Sequence, residues 1–412
     1  MLELLIIGGG VHGTFLSHAL CSSGAFGRDQ LAVLDPWDEP LAHWHRNTRN
    51  SGMRFLRSPS SHNMDTDFHA LRDFARTHNF PEPASYIPPY QRPSLELFDQ
   101  HTNTVLNKHR LARLRVKGRA QRIVLKPHHV EIATDHQVMR ARRVLIAVGR
   151  SEELRYPGWY AATESSTDPN IAHVFSPDYN RDARNAPRAP VIVGGGVTAA
   201  QLALALSRRS ENPPVIVARH PVKSEQFDSN PCFIGPRCLE DFLAERDYTR
   251  RRQIITRERN PGTMPSDVAV ELQAALDEKR ITYIVDEVVG TTPSREGQTE
   301  VRLSTGPSTL SSDAVFLATG FNPVPPASRL IADLAARHSL KLAEDGYPIV
   351  DRHLQWQERV FLAGPLAELE LGPACVNIIG AHHAARRLVP VFKYGRLEAG
   401  RRNPWLPLRK VA

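Results

Sequence analysis

Short apolar runs that stop at glycine, each followed by a helical run, occur twice along the chain in the same order. Residues 4–7 are apolar and end in Gly8-Gly9-Gly10; an apolar helical run over 13–20 follows, then a strand over 31–35 that closes on Asp35. Helical patterns at 68–75 and 95–108 come next. Segments 122–125, 130–133 and 138–141 then alternate apolar with polar residues, which predicts a small antiparallel meander leading into the apolar strand 144–148 and Gly149. The second copy runs 191–193, Gly194-Gly195-Gly196, helix 199–206, strand 215–218, an alternating region over 281–303, and an apolar strand from 315 that closes on Thr319-Gly320. Strands alternating with helices predict parallel sheets with buried crossovers, here two of them.

The glycine turns carry the first chemistry. In Gly8-x-Gly10-x-x-Gly13 the first glycine permits the tight turn, the second lets backbone approach a pyrophosphate, and the third lets the helix pack on the strand. Val11 and His12 open the helix, whose free N–H groups attract phosphate. Asp35, 22 residues after Gly13, is placed to accept from an adenosine ribose. The second turn, Gly194-x-Gly196-x-x-Ala199 with Val197 and Thr198, repeats the pattern, but its following strand ends in Arg219, with Lys223 close behind. A guanidinium there pairs with a 2′-phosphate, which favours NADPH over NADH. The expected fold class is α/β, with two Rossmann-like dinucleotide-binding domains. The first is discontinuous, residues 1–185 and 308–412; the second is inserted over 186–307, after a polar, proline-bearing hinge at 180–190.

Composition narrows the classes. The 412 residues carry 52 Lys and Arg against 44 acidic residues, a net +8 that suits phosphorylated cofactors. The basic residues, including Arg401, Arg402, Arg409 and Lys410, have little aromatic interleaving, and no nucleic-acid partner is expected. Residues 189–207 are uncharged, but three glycines interrupt them, so a strand, turn and helix is read rather than a membrane span. Four cysteines and no secretory segment predict a cytoplasmic protein without disulfides. His43, His45 and His62, or His382 and His383, lack the spacing of a known metal site, and none is expected.

Two fingerprints in this order, with Ala318-Thr319-Gly320-Phe321 and a C-terminal return segment, resemble the flavoproteins with two dinucleotide domains. Within that group the chain resembles the lysine and ornithine N-hydroxylating class B flavin monooxygenases, through Trp44-His45, Met53-Arg54, Arg92-Pro93-Ser94 with Phe98, and Asp228-Ser229-Asn230-Pro231. The resemblance implies FAD in the first site and NADPH in the second. It also implies N-hydroxylation of a primary amine or amino acid with O2, through a flavin hydroperoxide. Gly149, Gly364, Pro373 and Asn377 are expected beside the flavin, with Pro373 starting a helix aimed at it; Thr319 and Gly320 join the cofactor set. Arg54, Arg57, Ser58 and His62 are the candidate catalytic residues of the cleft. Two departures stand out: Val11-His12 replaces a proline-containing turn, and Arg54 stands where the family commonly has an amide. An NAD(P)H-dependent reductase of a small acceptor without a redox dithiol is the alternative, since Cys232 and Cys238 are six apart in a Pro/Gly-containing loop and Cys21 and Cys375 are isolated, which speaks against a dithiol relay. The oligomeric state stays open.

Overall fold

The computed structural model describes residues 1–82, 84–161, 168–183, 186–294, 297–305 and 309–395, so the basic tail lies outside the described residues. Leu4, Leu5 and Ile6 of β1 (Leu2–Ile7) are wholly buried, as a central parallel strand covered on both faces requires. Gly8, at φ +105°, turns the chain into α1 (Val11–Ser22), and β2 (Leu31–Asp35) returns parallel to β1 with Leu34 opposite Ile7. The helices α2 (Ala42–Ser51) and α3 (Ala70–Thr77), the short pair β3 (Tyr86–Ile87) and β4 (Arg92–Pro93), and α4 (Leu95–Lys108) precede β5 (Arg115–Lys117), which extends the sheet beyond β2. The alternating segments form the expected antiparallel β6 (Ala120–Leu125), β7 (Val130–Thr134) and β8 (Val138–Ile146). The apolar end of β8 enters the parallel sheet beside β1.

A second sheet follows α5 (Gly158–Ala161). It contains β9 (Ile171–His173), β10 (Pro190–Val193), then after α6 (Val197–Leu206) β11 (Val215–Ala218), and after α7 (Pro236–Ala244), α8 (Tyr248–Arg257) and α9 (Ser266–Asp277) β12 (Thr282–Val285). The meander β13 (Val288–Pro293), β14 (Thr299–Leu303) and β15 (Thr309–Ser312) covers one face, packing Val288, Val301 and Leu303 on Val191 and Val217. With β16 (Ala314–Leu317) the parallel order is β12-β11-β10-β16-β9. This sheet extends past residues 186–307 at both ends. A three-residue strand such as Ile-Ala-His, ahead of its own glycine turn, has too little periodicity to show in sequence.

After α10 (Ser328–His338), the hairpin β17 (Gln355–Gln357) and β18 (Val360–Leu362) returns to the first sheet beside β8, and α11 (Glu368–Leu371) and α12 (Ile378–Tyr394) pack there, α12 against α1. Pro373 does not start α12: it opens a single 3-10 turn, Pro373–Val376, and extended Asn377 precedes the helix. Phe233, Phe242 and Ile255, from the stretch between β11 and β12, pack on Leu369, Ala374 and Ile379, joining the inserted segment to the C-terminal return. Among the described residues no helix is long and apolar enough to cross a membrane.

Candidate active site

A side chain begun at Gly13 would lie 1.7 Å from the Gly8 carbonyl oxygen and one at Gly8 would lie 2.8 Å from that of Ala147, whereas Gly10 has nothing within 4 Å. The turn is therefore closed toward the sheet and open at Gly10, where backbone N–H groups at the start of α1 face outward with no acidic residue in the first turn. His12 stands beside Gly364, whose added Cβ would meet its Nδ1 at 3.3 Å. Burial pushes the His12 pKa down to about 4, opposed by the backbone of Val376 and Asn377. Beyond the backbone of Val376 and Asn377, the buried ring nitrogens have no partner, which leaves them available to a bound group with hydroxyl or phosphate oxygens. His12, Gly364 and Asn377, far apart in sequence, thus meet at one turn.

Asp35 ends β2 as expected, but its carboxylate already accepts from the Gly9 N–H at 2.5 Å, the Trp37 N–H at 3.0 Å and the Arg115 guanidinium at 3.0 Å. A carboxylate offers about four acceptor positions, so one is left for a ribose hydroxyl. Arg115, on the adjacent strand β5, gave no sequence signal. It lies where a Gly9 side chain would go, its Nη1 2.2 Å from that Cβ position.

At the second turn Gly194 has φ +145°, and a Cβ there would lie 2.5 Å from the Ala318 carbonyl oxygen. Ala199, in the first turn of α6, is buried. Gly262 backbone lies 3.5 Å from the position of a Gly196 Cβ, and the Val197 N–H donates to the Thr263 carbonyl at 3.3 Å. A pyrophosphate reaching Val197 must exchange with that long bond. Arg219 and Lys223 are exposed beyond β11. Thr319 and Gly320 serve the crossing between sheets: the Thr319 hydroxyl donates to the Arg155 carbonyl, and the Arg155 N–H donates to Gly320 at 3.0 Å.

Arg57, Ser58 and His62 line one cleft with Asp228, Ile234 and Asn377. Asn377 Nδ2 donates to Asp228 Oδ1 at 2.9 Å, fixing the carboxylate at the entrance to α12. Arg57 donates to the carbonyls of Glu225 and Gln226, at 2.7 and 3.1 Å, and to Thr263 Oγ1 at 2.9 Å. It is an anchor of the loop opposite as well as a wall of the cleft. Burial, with His382 and His383 adding, pushes His62 down to about 3, so it is a neutral hydrogen-bonding group there. Arg54 is elsewhere. It pairs with Glu271 at 2.9 Å and lines a separate cavity with Arg49, Arg181 and Arg208. Its assignment to the same cleft is corrected, because the two arginines leave the 54–57 segment toward different neighbours.

The expectation of no disulfide is also corrected. Cys232 and Cys238 are bonded, with Cα atoms 5.5 Å apart, because the 3-10 turn Pro231–Ile234 and the Gly235-Pro236 start of α7 reverse the chain between them. Cys21 and Cys375 are free. A second unforeseen feature is Glu368, fully buried and bound by Arg150 at 2.9 Å, Arg259 at 2.5 Å and Arg252. Burial alone would raise its pKa, but Arg259, Arg150 and Arg252 hold it below the usual glutamate value. These arginines come from beyond β8, from α8 and from the loop after it, so one carboxylate ties three segments together.

Two successive glycine-turn sheets, the first completed by a C-terminal return, define a protein with two dinucleotide sites. The chain belongs to the pyridine nucleotide-disulphide oxidoreductase family, whose model matches residues 2–387. A search of curated proteins finds no match. Solved structures share the fold over nearly the whole chain. An ornithine hydroxylase from Pseudomonas aeruginosa is 17% identical with TM-score 0.75, over 95% of this chain and 98% of that one. An ornithine N-hydroxylase from Kutzneria, solved with reduced FAD, NADP+ and L-ornithine, is 16% identical with TM-score 0.74, over 95% and 99%. A cadaverine monooxygenase from Erwinia amylovora, bound to FAD, is 14% identical with TM-score 0.71, over 97% and 95%.

Proposed function

We propose that this protein is an FAD-dependent, NADPH-using monooxygenase that N-hydroxylates a primary amine or basic amino acid. The observation that carries the reading is the convergence of the open Gly10 turn, the buried His12 ring, Gly364 and Asn377 beside a cleft holding Asp228 and His62. FAD would be held by the start of α1, by the remaining acceptor of Asp35 and by His12; NADPH by the second turn, Arg219 and Lys223. When bound, the flavin supplies two-electron transfer from the nicotinamide and the activation of O2. The chain's own residues position and shield. Asp228, fixed by Asn377, is the counter-ion for a substrate ammonium, and neutral His62 accepts a hydrogen bond from it without adding repulsive charge. The nearby solved N-hydroxylases support the amine class.

The Cys232–Cys238 bond favours a second reading, an NAD(P)H-dependent disulfide reductase, since Ile234 between the cysteines lines the cleft. Incubation with NADPH, O2 and a panel of diamines, lysine and ornithine separates the two. Hydroxylamine product is expected. No hydroxylamine, together with full NADPH turnover on a disulfide substrate under nitrogen, would replace the first reading with the second.

A further inference from the structure

Three groups that the cleft does not use meet on the first domain. His18 comes from the middle of α1, Asp65 from the loop before α3, and His109 from the C-terminal end of α4. One ligand-capable atom from each lies within 4.8 Å of the others, and His18 Nε2 stands 3.6 Å from Asp65 Oδ1. In a tetrahedral site with bonds near 2.05 Å, neighbouring ligand atoms are about 3.3 Å apart, so the His18–Asp65 pair is close to chelating distance as it stands.

The second observation is the state of His18. The side chain is 2% exposed, and its Nε2 faces the Asp65 carboxylate as its one close partner. Its Nδ1 is taken by the Ser22 hydroxyl at 2.9 Å. A divalent cation would replace the proton that lies between Nε2 and the carboxylate, with the Ser22 hydroxyl then accepting from Nδ1–H. A ligating histidine held through its other nitrogen is the usual supporting arrangement. Asp65 is oriented in turn: its Oδ1 accepts from the Asp67 N–H at 3.2 Å. His109 is half-buried, its ring 4.2 Å from that of His18, and it supplies both the third nitrogen and a path from solvent. The nearby end of α4 adds the negative end of a helix dipole.

The geometry points to a divalent transition-metal site of two histidines and one carboxylate, with Zn2+ the best match to the donor set and at least one position left for water. Metal would clip α1 and α4 to the loop that carries Asn63, whose carbonyl binds His382 Nε2 at 2.8 Å beside the cleft. The sequence reading expected no metal because the three ligands come from three separate elements.

Equilibrium dialysis of the purified chain against Zn2+ tests the assignment, with metal content and thermal midpoint as readouts. One tightly held Zn2+ per chain and a raised midpoint are expected. His109→Ala and Asp65→Asn should each weaken binding by roughly tenfold or more, while His136→Ala, at an exposed histidine elsewhere, leaves it unchanged. His109→Ala is at a half-buried helix end and keeps the test sound if Asp65→Asn disturbs the loop. No stoichiometric uptake, or equal binding by wild type and His109→Ala, would overturn the proposal. Because the readout is metal content, failure here leaves the amine-hydroxylating reading untouched.

Discussion

Replacing Glu368 with Gln removes the buried negative charge that three guanidinium groups share, leaving Arg252 its second partner, Asp345. Breaking a buried ion pair by deleting one partner costs about 3–5 kcal/mol, because the remaining charges are left desolvated. Arg150, Arg252 and Arg259 retain 21%, 23% and 21% side-chain exposure, so water compensates in part. This puts the expected loss at the lower end, about 3 kcal/mol. Unfolding entropy near 2.1 cal/mol/K per residue, over a chain of this length, makes that a drop of about 3–4 °C in Tm. The pH dependence has a definite sign. Glu368 is held below its ordinary value of 4.5, so its stabilisation is complete above that value and is lost as pH falls through its folded value. Scanning calorimetry at pH 7 and pH 4 should therefore show a clear gap between wild type and Glu368→Gln that narrows in acid. Because Glu368 anchors the segment that delivers Gly372 to Asn377, the variant should also lose flavin faster on dialysis. An unchanged Tm at pH 7 would show that the arginines are satisfied without it.

Asp35→Ala should lower flavin retention by about 1.5–3 kcal/mol in binding, and should do so beyond the ribose contact because Arg115 and the Gly9 N–H also lose their acceptor; full flavin content after dialysis against FAD-free buffer would contradict this. Arg219→Ser should cut the preference for NADPH over NADH by roughly tenfold, measured as the ratio of kcat/KM values, and an equal change for both nucleotides would make Arg219 structural. Burial lowers His12, His43, His101, His173, His382 and His383 to about 4 and His62 to about 3. With folded values below the unfolded 6.5, their stabilisation is complete above pH 6.5 and is lost as pH falls toward 4, so urea midpoints should drop between pH 7.5 and 5; a flat profile would refute the burial of neutral histidines.

The parts legible in the sequence were those written in local pattern. Apolar runs with glycine stops gave both parallel cores, and alternation gave the β6–β8 meander, because a half-covered strand must alternate. The glycine roles at 8, 13 and 194 were legible for a similar reason: each rests on a steric collision with backbone, that of the neighbouring strand's end at Gly8 and Gly194 and that of its own turn at Gly13. What stayed hidden depends on contacts between distant segments. Arg115 is an ordinary basic residue until β5 is laid beside β2. Glu368 looks like an exposed helix residue until Arg150, Arg252 and Arg259 are brought around it. The Cys232–Cys238 bond needed the reversal at Gly235-Pro236, and the divergence of Arg54 from Arg57 needed the positions of Glu271 and Thr263.

Thr263 belongs to both sites at once: its carbonyl accepts from Val197 at the second glycine turn, and its hydroxyl accepts from Arg57 in the cleft. A nucleotide phosphate that takes the Val197 N–H frees that carbonyl and changes the footing of Arg57. If occupancy of one site alters affinity at the other through this residue, thermodynamic reciprocity requires the factor to be the same in both directions. On the function proposed above, amine affinity measured with and without nucleotide is expected to differ by the same factor as nucleotide affinity measured with and without amine.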